Sequence, residues 1–181
     1  MPRLITRHPV TDTMTPHKVF IGIGSNIGDR LHHLQEAVDR VSLLENTAVV
    51  KVSHVYMTEP VGEAGQNRFY NGVVLLDTAL APEELRRQCK IIEQELGRPE
   101  TYPRWSPRVI DLDILLYDDL VISTPALTIP HPELHCRKFV LLPMLDIANP
   151  LYPATGENTL QLLDRCIDRS VLIRVRESIR V

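Results

Sequence analysis

Residues 17–29 read HKVFIGIGSNIGD. The apolar run at residues 19–23 is typical of a buried strand, because a short apolar stretch bounded by turn residues fits the inside of a sheet. Gly24, Ser25 and Asn26 then favour a turn, and Asp29 is a residue type that begins helices. The stretch therefore predicts a buried first strand that leads at once into a helix.

The sequence that follows continues with alternating helical and strand patterns. The apolar residues of the first helix recur at helical spacing; they are Leu31, Leu34, Val38 and Val41. Residues 48–56 and 69–78 are rich in Val and aromatic residues and predict two strands. Pro82 and Gly97 suit the first turn and the C-terminal end of a second helix. An apolar strand is then expected at residues 109–117.

The order strand, helix, strand, strand, helix, strand over residues 19–117 is the split βαβ pattern. It predicts an α+β fold, a ferredoxin-like α/β sandwich in which helices pack on one face of an antiparallel sheet. The other face would be free, and the loops at residues 58–68 and 98–107 could fold over a ligand there. Expected after this unit are a short hairpin through Asp118 and Asp119, helical turns at residues 132–147 and a helix at residues 159–167. Residues 171–181 fit a strand or a tail.

Composition limits the class of protein. The chain has 181 residues, 44% hydrophobic and 24% charged, with 20 Lys and Arg against 23 Asp and Glu. This predicts one domain at residues 18–181 behind a flexible tail at residues 1–17, and argues against a nucleic-acid or membrane partner. Three scattered cysteines, Cys89, Cys136 and Cys166, fit neither a zinc site nor a disulfide framework. The cysteines therefore predict a cytoplasmic protein. We also expect a monomer, although no motif in the sequence carries that expectation.

Asp111 and Asp113 are the strongest signal of chemistry. Residues two apart on a strand share a face, so these carboxylates should project together while Ile110, Leu112 and Ile114 enter the core. Hard oxygen ligands of this kind suit Mg²⁺, which commonly bridges one or two carboxylates to substrate phosphates. Alternatively, the two aspartates form salt bridges with Arg104 and Arg108.

Basic residues surround this pair, and together they indicate a polyphosphate site. They are Arg98, Arg104, Arg108, His131, Arg137 and Lys138. Each alone could be an ordinary surface charge, and His131 could be a turn residue. Glu93 borders the buried stripe of the second helix, either as a site residue or as an ordinary flanking acid.

Phe69 and Asn71 alternate onto one face of the third strand. An aromatic plane beside an amide is what a flat, hydrogen-bonding heterocycle requires. Trp105 and Phe139 could add stacking surfaces, although all these aromatics could equally be core residues. The glycines of residues 22–28 have GxGxxxG spacing, which does not fit a dinucleotide fingerprint.

These motifs resemble the 6-hydroxymethyl-7,8-dihydropterin pyrophosphokinase family from about residue 19 to residue 153. The matching stretches, in order, are Gly22 to Asn26, Phe69-Tyr70-Asn71, Gly97-Arg98, residues 104–113 with the sequence RWSPRVIDLD, Pro130-His131-Pro132 and Arg137-Lys138-Phe139. The Trp-x-Pro-Arg-x-x-Asp-x-Asp run followed by Pro-His is highly specific.

The resemblance implies a folate-biosynthesis enzyme that transfers pyrophosphate from ATP to the pterin and releases AMP, with two Mg²⁺ ions bound by Asp111 and Asp113. Catalytic roles would fall to Arg98, Arg108, Asp111 and Asp113. ATP would be bound by Glu93, Arg98, Trp105, Arg108, Ile114, Thr128, His131 and Arg137. The pterin would be bound by Thr58, Val61, Phe69, Asn71, Trp105 and Phe139.

The sequence departs from the family pattern in one loop. The loop at residues 100–103 has fewer basic residues than is usual in the family, which predicts a shifted ATP affinity.

Two alternative functions also fit some of the residues. An Asp-x-Asp at a strand also occurs in phosphatases of the haloacid dehalogenase type. A non-catalytic alternative is a nucleotide-binding regulatory domain, because the ferredoxin-like sheet serves many functions.

Overall fold

An antiparallel sheet of six strands forms the centre of the computed structural model, which describes residues 15–60, 65–99, 101 and 106–181. Its strands are β1 (His17–Ser25), β2 (Thr47–Val52), β3 (Tyr56–Thr58), β4 (Phe69–Thr78), β5 (Asp111–Tyr117) and β8 (Ile173–Arg174). The order is β5-β1-β4-β3-β8, with β2 also paired to β4. β5 and β8 are therefore edge strands, and the first strand of the chain lies beside the predicted carboxylate strand.

Two helices cover the first face of the sheet. They are α1 (Arg30–Ser42) and α2 (Pro82–Glu95). Asp29 begins α1 by accepting a hydrogen bond from the His32 N–H at 3.1 Å. Gly97, with a φ of 99°, follows the end of α2 as predicted, because a left-handed residue there suits glycine. Alternate residues of β1 pack against these helices in one buried core, which confirms the ferredoxin-like α+β prediction.

The second face of the sheet is not free, contrary to expectation. Two further helices, α3 (Lys138–Ile147) and α4 (Thr159–Asp164), form a second buried core on it. Phe20, Val73 and Leu75 of the sheet pack there with residues of α3 such as Leu141 and Met144. Apolar side chains on this half of the sheet need cover from water, and α3 supplies it. Among the described residues, the end of the sheet beyond α3 is not covered by these two helices.

Several smaller predictions need correction. The strand expected at residues 48–56 is two strands, because the chain leaves the sheet after Val52 and returns at Tyr56. The hairpin expected at Asp118 lies further on, between β6 (Ile122–Ser123) and β7 (Thr128–Ile129). Residue 17, which was assigned to the tail, already pairs with Thr78 in β1.

The remaining elements follow the predictions for the second half of the chain. A 3₁₀ turn at Leu134–Cys136 precedes α3, and both lie inside the stretch where helical turns were expected. The open alternative at residues 171–181 resolves as the short strand β8. Over the residues that the structure describes, no helix is long and apolar enough to cross a bilayer.

Candidate active site

A cavity of about 460 Å³ opens where the second face of the sheet extends beyond α3. Strands β1, β3, β4 and β5 contribute to it, and so does the segment between β7 and α3. The predicted site residues that line it are Thr58, Phe69, Asn71, Arg108, Asp111, Asp113, His131, Arg137 and Phe139. The fold therefore brings most of the predicted ATP and pterin residues to one place.

Glycines of β1 form the floor of this cavity. Gly22 and Gly24 both line it. A Cβ atom on Gly24 would lie 3.0 Å from Oδ1 of Asn71, closer than side chains normally approach. A side chain at residue 24 would therefore displace the Asn71 amide. This is the reason for a glycine at this position, which sequence reasoning assigned only to a tight turn.

The two aspartates lie on the same face of β5, as alternation predicted, while Leu112 between them enters the core. Asp111 forms ion pairs with Arg98 and with Nε of Arg108, the latter at 3.3 Å. The salt-bridge alternative therefore holds for this carboxylate. Within the described ranges, Asp113 makes no hydrogen bond or ion pair, although it is close to Asp111 and faces the cavity.

The pKa values of the two carboxylates move in opposite directions. Burial raises the pKa of Asp111, but Arg108 and Arg98 outweigh burial and hold it below its ordinary value. Burial and the neighbouring Asp111 raise the pKa of Asp113. Two like charges side by side with few partners are costly, so a bound cation would stabilise the ionised pair.

Behind β5, a buried network connects the carboxylate pair to α2. Arg98 bonds to Oε1 of Glu93 at 3.0 Å and to the Ile110 carbonyl at 3.3 Å, in addition to Asp111. Oε1 of Glu93 also accepts the Leu112 N–H at 2.7 Å. Arg98 and Glu93 are almost fully buried and do not line the cavity. In the structure, therefore, they hold Asp111 from behind.

Lys90 completes this network and was missed by sequence reasoning. Its Nζ donates to both carboxylate oxygens of Glu93 at 2.9 Å. Burial raises the pKa of Glu93, and Lys90 counters that effect. Burial lowers the pKa of Lys90, but the charges of Glu93 and Asp113 outweigh it and leave it raised. The spacing of three residues between Lys90 and Glu93 is the signal that could have found it.

The opposite side of the cavity, around β3 and β4, is lined mainly by neutral side chains. Nδ2 of Asn71 donates to Oγ1 of Thr58 at 2.8 Å, and both residues are buried. The ring of Phe69 forms an adjacent wall, with the Arg108 guanidinium 5.3 Å from its centre. Phe139 lines the cavity from the start of α3. Aromatic planes beside a fixed amide suit a flat heterocycle with hydrogen-bonding edges.

His131 and Arg137 line the cavity from the segment that precedes α3. The backbone N–H of His131 donates to the Leu115 carbonyl at 2.9 Å. Its Nδ1 lies 3.1 Å from the Glu133 N–H and accepts from it, which leaves Nε2 as the protonated nitrogen. Arg137 pairs with Glu133. Both residues offer hydrogen-bond donors to an anionic ligand.

Besides Glu93 and Arg98, four further predicted residues do not line the cavity or cannot be placed. The Ile114 side chain lies in the core on the first face of the sheet, and Thr128 is exposed on β7. Val61 and Trp105 lie outside the described residues, as do Arg104 and most of the loop at residues 100–103.

The carboxylate pair fits Mg²⁺ by its chemistry. Asp113 is a half-buried carboxylate with no hydrogen-bond or ion-pair partner in the described ranges, and it faces the cavity beside a second carboxylate. The described residues contain no cluster of three or more His, Cys, Asp or Glu side chains that could enclose a metal ion. Mg²⁺ does not need one, because it commonly takes one or two carboxylates and completes its shell with water and substrate phosphates.

Comparison with known proteins agrees with this geometry. A 2-amino-4-hydroxy-6-hydroxymethyldihydropteridine pyrophosphokinase from Pseudomonas aeruginosa is 40% identical over 149 residues, covering 82% of this chain and 91% of its own. The enzyme of that name from Aquifex aeolicus is 40% identical over 152 residues, covering 79% and 93%. The Schizosaccharomyces pombe folic acid synthesis protein fol1 is 41% identical over 153 residues, covering 83% of this chain and 21% of its own.

Solved structures show the same fold. The wild-type HPPK-DHPS of Plasmodium falciparum superposes with a TM-score of 0.66 at 15% identity, covering 83% of this chain and 44% of that one. The profile described as 7,8-dihydro-6-hydroxymethylpterin-pyrophosphokinase (HPPK) matches residues 20–149, which include every described residue that lines the cavity. The chain is a member of the 7,8-dihydro-6-hydroxymethylpterin-pyrophosphokinase family.

Proposed function

We propose that this cavity transfers the pyrophosphoryl group of ATP to 6-hydroxymethyl-7,8-dihydropterin, giving the pterin diphosphate and AMP for folate biosynthesis. The observation on which this rests is the position of Asp111 and Asp113, which face the same cavity as Phe69 and Asn71. A site for cation-bound phosphates and a site for a flat heterocycle are therefore adjacent, as transfer between the two substrates requires.

Asp111 and Asp113 would hold Mg²⁺, and we assign two ions from the family resemblance. Bound Mg²⁺ neutralises phosphate oxygens and orients them for displacement. Arg98 is nearly inaccessible, so its part is to hold the Asp111 carboxylate in place. Arg108 both pairs with Asp111 and lines the cavity, so it would contact the transferred phosphates directly.

His131 and Arg137 would bind the ATP phosphates from the segment that precedes α3, which adjoins the carboxylate strand β5. The Nε2 proton of His131 and the guanidinium of Arg137 supply donors without a covalent step. Phosphoryl-type transfer depends mostly on positioning and charge neutralisation, so donors of this kind are sufficient. We assign Glu93, Ile114, Thr128 and Trp105 to the ATP site on the resemblance alone.

The pterin would lie against Phe69 and Phe139. One N–H of the Asn71 amide donates to Thr58, so the Oδ1 atom and the second N–H remain to bind the edge of the ring. Thr58 thereby fixes which way the amide points. Val61 and Trp105 complete the proposed pterin set on the resemblance.

Release of AMP tests this function. We expect AMP from ATP and Mg²⁺ only when 6-hydroxymethyl-7,8-dihydropterin is present, and none from an Asp111→Ala, Asp113→Ala double variant. Asp119→Ala, an exposed residue in the turn after β5, is the matched control and should keep full activity. ATP binding without AMP would favour the regulatory alternative. Phosphate release with a covalent aspartyl phosphate would favour the phosphatase alternative.

Three finer assignments belong to the same proposal. The reduced positive charge at residues 100–103 should shift the Kd for ATP without abolishing turnover. A nucleotide titration measures this Kd. We propose a cytoplasmic location from the cysteine content and, as a separate assignment, a monomer. Light scattering at assay concentration tests the monomer, and a mass of twice the 20.6 kDa chain would contradict it.

A further inference from the structure

Residues 173–180, which we name the strap, lie beyond the family match at residues 20–149. One end of the strap extends the sheet. β8 pairs antiparallel with β3, so that Arg174 lies opposite Tyr56 and Ile173 opposite Met57. The Val175 N–H donates to the Val55 carbonyl at 2.8 Å. The strap thus gives β3 a partner on the edge that faces away from β4.

The other end of the strap is fixed to α1. Ile179 is 8% exposed and belongs to the core beneath α1. The side chain of Gln35 holds the next residue by both backbone groups. Its Oε1 accepts the Arg180 N–H at 2.8 Å, and its Nε2 donates to the Arg180 carbonyl at 3.1 Å. The strap is therefore fastened at both ends to the core.

β3 is a short strand that lies between β4 and the strap. It has three residues, and a strand this short has few ladder hydrogen bonds of its own. Its last residue, Thr58, pairs with Phe69 in register and accepts the hydrogen bond of Asn71. Small shifts of β3 would therefore move the acceptor that orients the Asn71 amide.

We propose that the strap is a positioning element for the pterin side of the cavity, acting through β3 and Thr58. This inference rests on the proposed function. Ile179, Val175 and Gln35 do not line the cavity, so their effect on the substrate is indirect. Because β1 and β4 separate β3 from β5 in the sheet, the strap should affect the pterin and leave the ATP side unchanged.

Ile179→Ala in the full chain tests the strap, and Val181→Ala is the matched control because Val181 is 77% exposed. We expect Ile179→Ala to raise the Kd and KM for the pterin about three- to tenfold, with the Kd for ATP changed less than about twofold. Val181→Ala should change neither constant. Dissociation constants come from calorimetry, so that binding is measured apart from turnover.

Gln35→Ala is the second variant, in case Ile179→Ala does not fold. It removes both bonds to Arg180, and its control is Asp39→Ala, which removes only the Gln35 bond to Asp39 at 2.8 Å. A smaller rise in pterin Kd is expected for Gln35→Ala and none for Asp39→Ala. Gln35→Glu, which keeps the acceptor for the Arg180 N–H, should recover part of the loss.

Two outcomes overturn the proposal in distinguishable ways. If wild-type protein turns over the pterin and the strap variants lower Tm without changing the pterin Kd, the strap supports the fold alone. The same conclusion follows if the Kd values of ATP and pterin rise equally. If wild-type protein neither binds the pterin nor releases AMP, the proposed function itself fails, and the strap proposal fails with it.

Discussion

The two sides of the cavity are built by different means. On the β5 side, Asp111 is held by Arg98 and Arg108, and Arg98 is held in turn by Glu93. On the β3 side, contacts are neutral hydrogen bonds and aromatic faces, with Thr58 and Asn71 at the centre. Charged groups act over distance and need fixed partners, whereas neutral recognition depends on fit within a few tenths of an ångström.

This difference predicts which property a substitution on each side should change. Removing a charge on the β5 side should affect catalysis strongly, and it should lower stability where the charge belongs to a buried ion pair, as it does for Arg98. Changes on the β3 side should affect one substrate and leave the other alone. The predictions below test this division.

Asp113→Asn should produce the largest effect. The substitution keeps the shape of the side chain but removes a carboxylate that has no protein partner among the described residues. We expect kcat to fall about 10²- to 10³-fold, because phosphate charge is no longer neutralised there. The Kd for the pterin should change less than about threefold. Equal losses in kcat and pterin binding would contradict the division between the two sides.

Arg98→Met should have the next largest effect, on stability. It removes the buried cation that Glu93 and Asp111 share, leaving only the more exposed Lys90 and Arg108, and we expect the free energy of unfolding to fall by about 3 kcal/mol. Arg40→Met is the control, because Arg40 and Glu95 form an exposed pair worth less than about 1 kcal/mol. Urea unfolding at pH 7 measures both. Similar losses in the two variants would show that the network behind β5 is no stronger than a surface pair.

Asn71→Ala should weaken the pterin alone. It removes the amide that Thr58 orients, and we expect the pterin Kd to rise about 30-fold, which corresponds to about 2 kcal/mol. Thr58→Val removes only the orienting oxygen and should raise the Kd about fivefold. Calorimetric titration with ATP should give the wild-type value for both variants. A matching loss of ATP affinity would mean that the two sides are not separate.

The smallest predicted effect is on the pH dependence of stability, where the opposite pKa shifts of Asp111 and Asp113 should act in opposite directions. Because the pKa of Asp111 is lowered in the folded protein, its ionised form stabilises the fold at pH values above the ordinary pKa of 3.8. This contribution is lost as the pH falls from 3.8 through the lowered pKa. The raised pKa of Asp113 means the reverse, so its ionisation costs stability as pH rises above 3.8.

At pH 7 in buffer without divalent cations, Asp111→Asn should therefore lower the free energy of unfolding and Asp113→Asn should raise it. Thermal unfolding between pH 3 and pH 7 measures these differences, which should shrink toward the acid end. Mg²⁺ should stabilise wild-type protein more than either variant. Shifts of the same sign in both variants would contradict the pKa directions.

Much of this arrangement could be predicted from the sequence because it depends on local periodicity. Alternation placed Asp111 with Asp113 and Phe69 with Asn71 on shared faces, and capping residues fixed the ends of α1 and α2. The cover of the second face by α3 could not be predicted, since a short helix with Pro143 inside it gives little sign of which surface it packs on. The contact of Arg98 with Asp111 links separate elements and has no local signature.

The side-chain contacts along the free edge of β5 have a consequence for solubility. β5 has a sheet neighbour on one side only, and exposed strand edges are templates for pairing between molecules. The Leu112 N–H donates to Glu93, and the Ile110 carbonyl accepts from Arg98, so neither group is available to a strand from another molecule. The acidic side chains of this strand also disfavour a second strand beside it. The groups that prepare the phosphate site thus protect the protein from edge-to-edge aggregation, and variants that weaken them should be watched for precipitation as closely as for lost turnover.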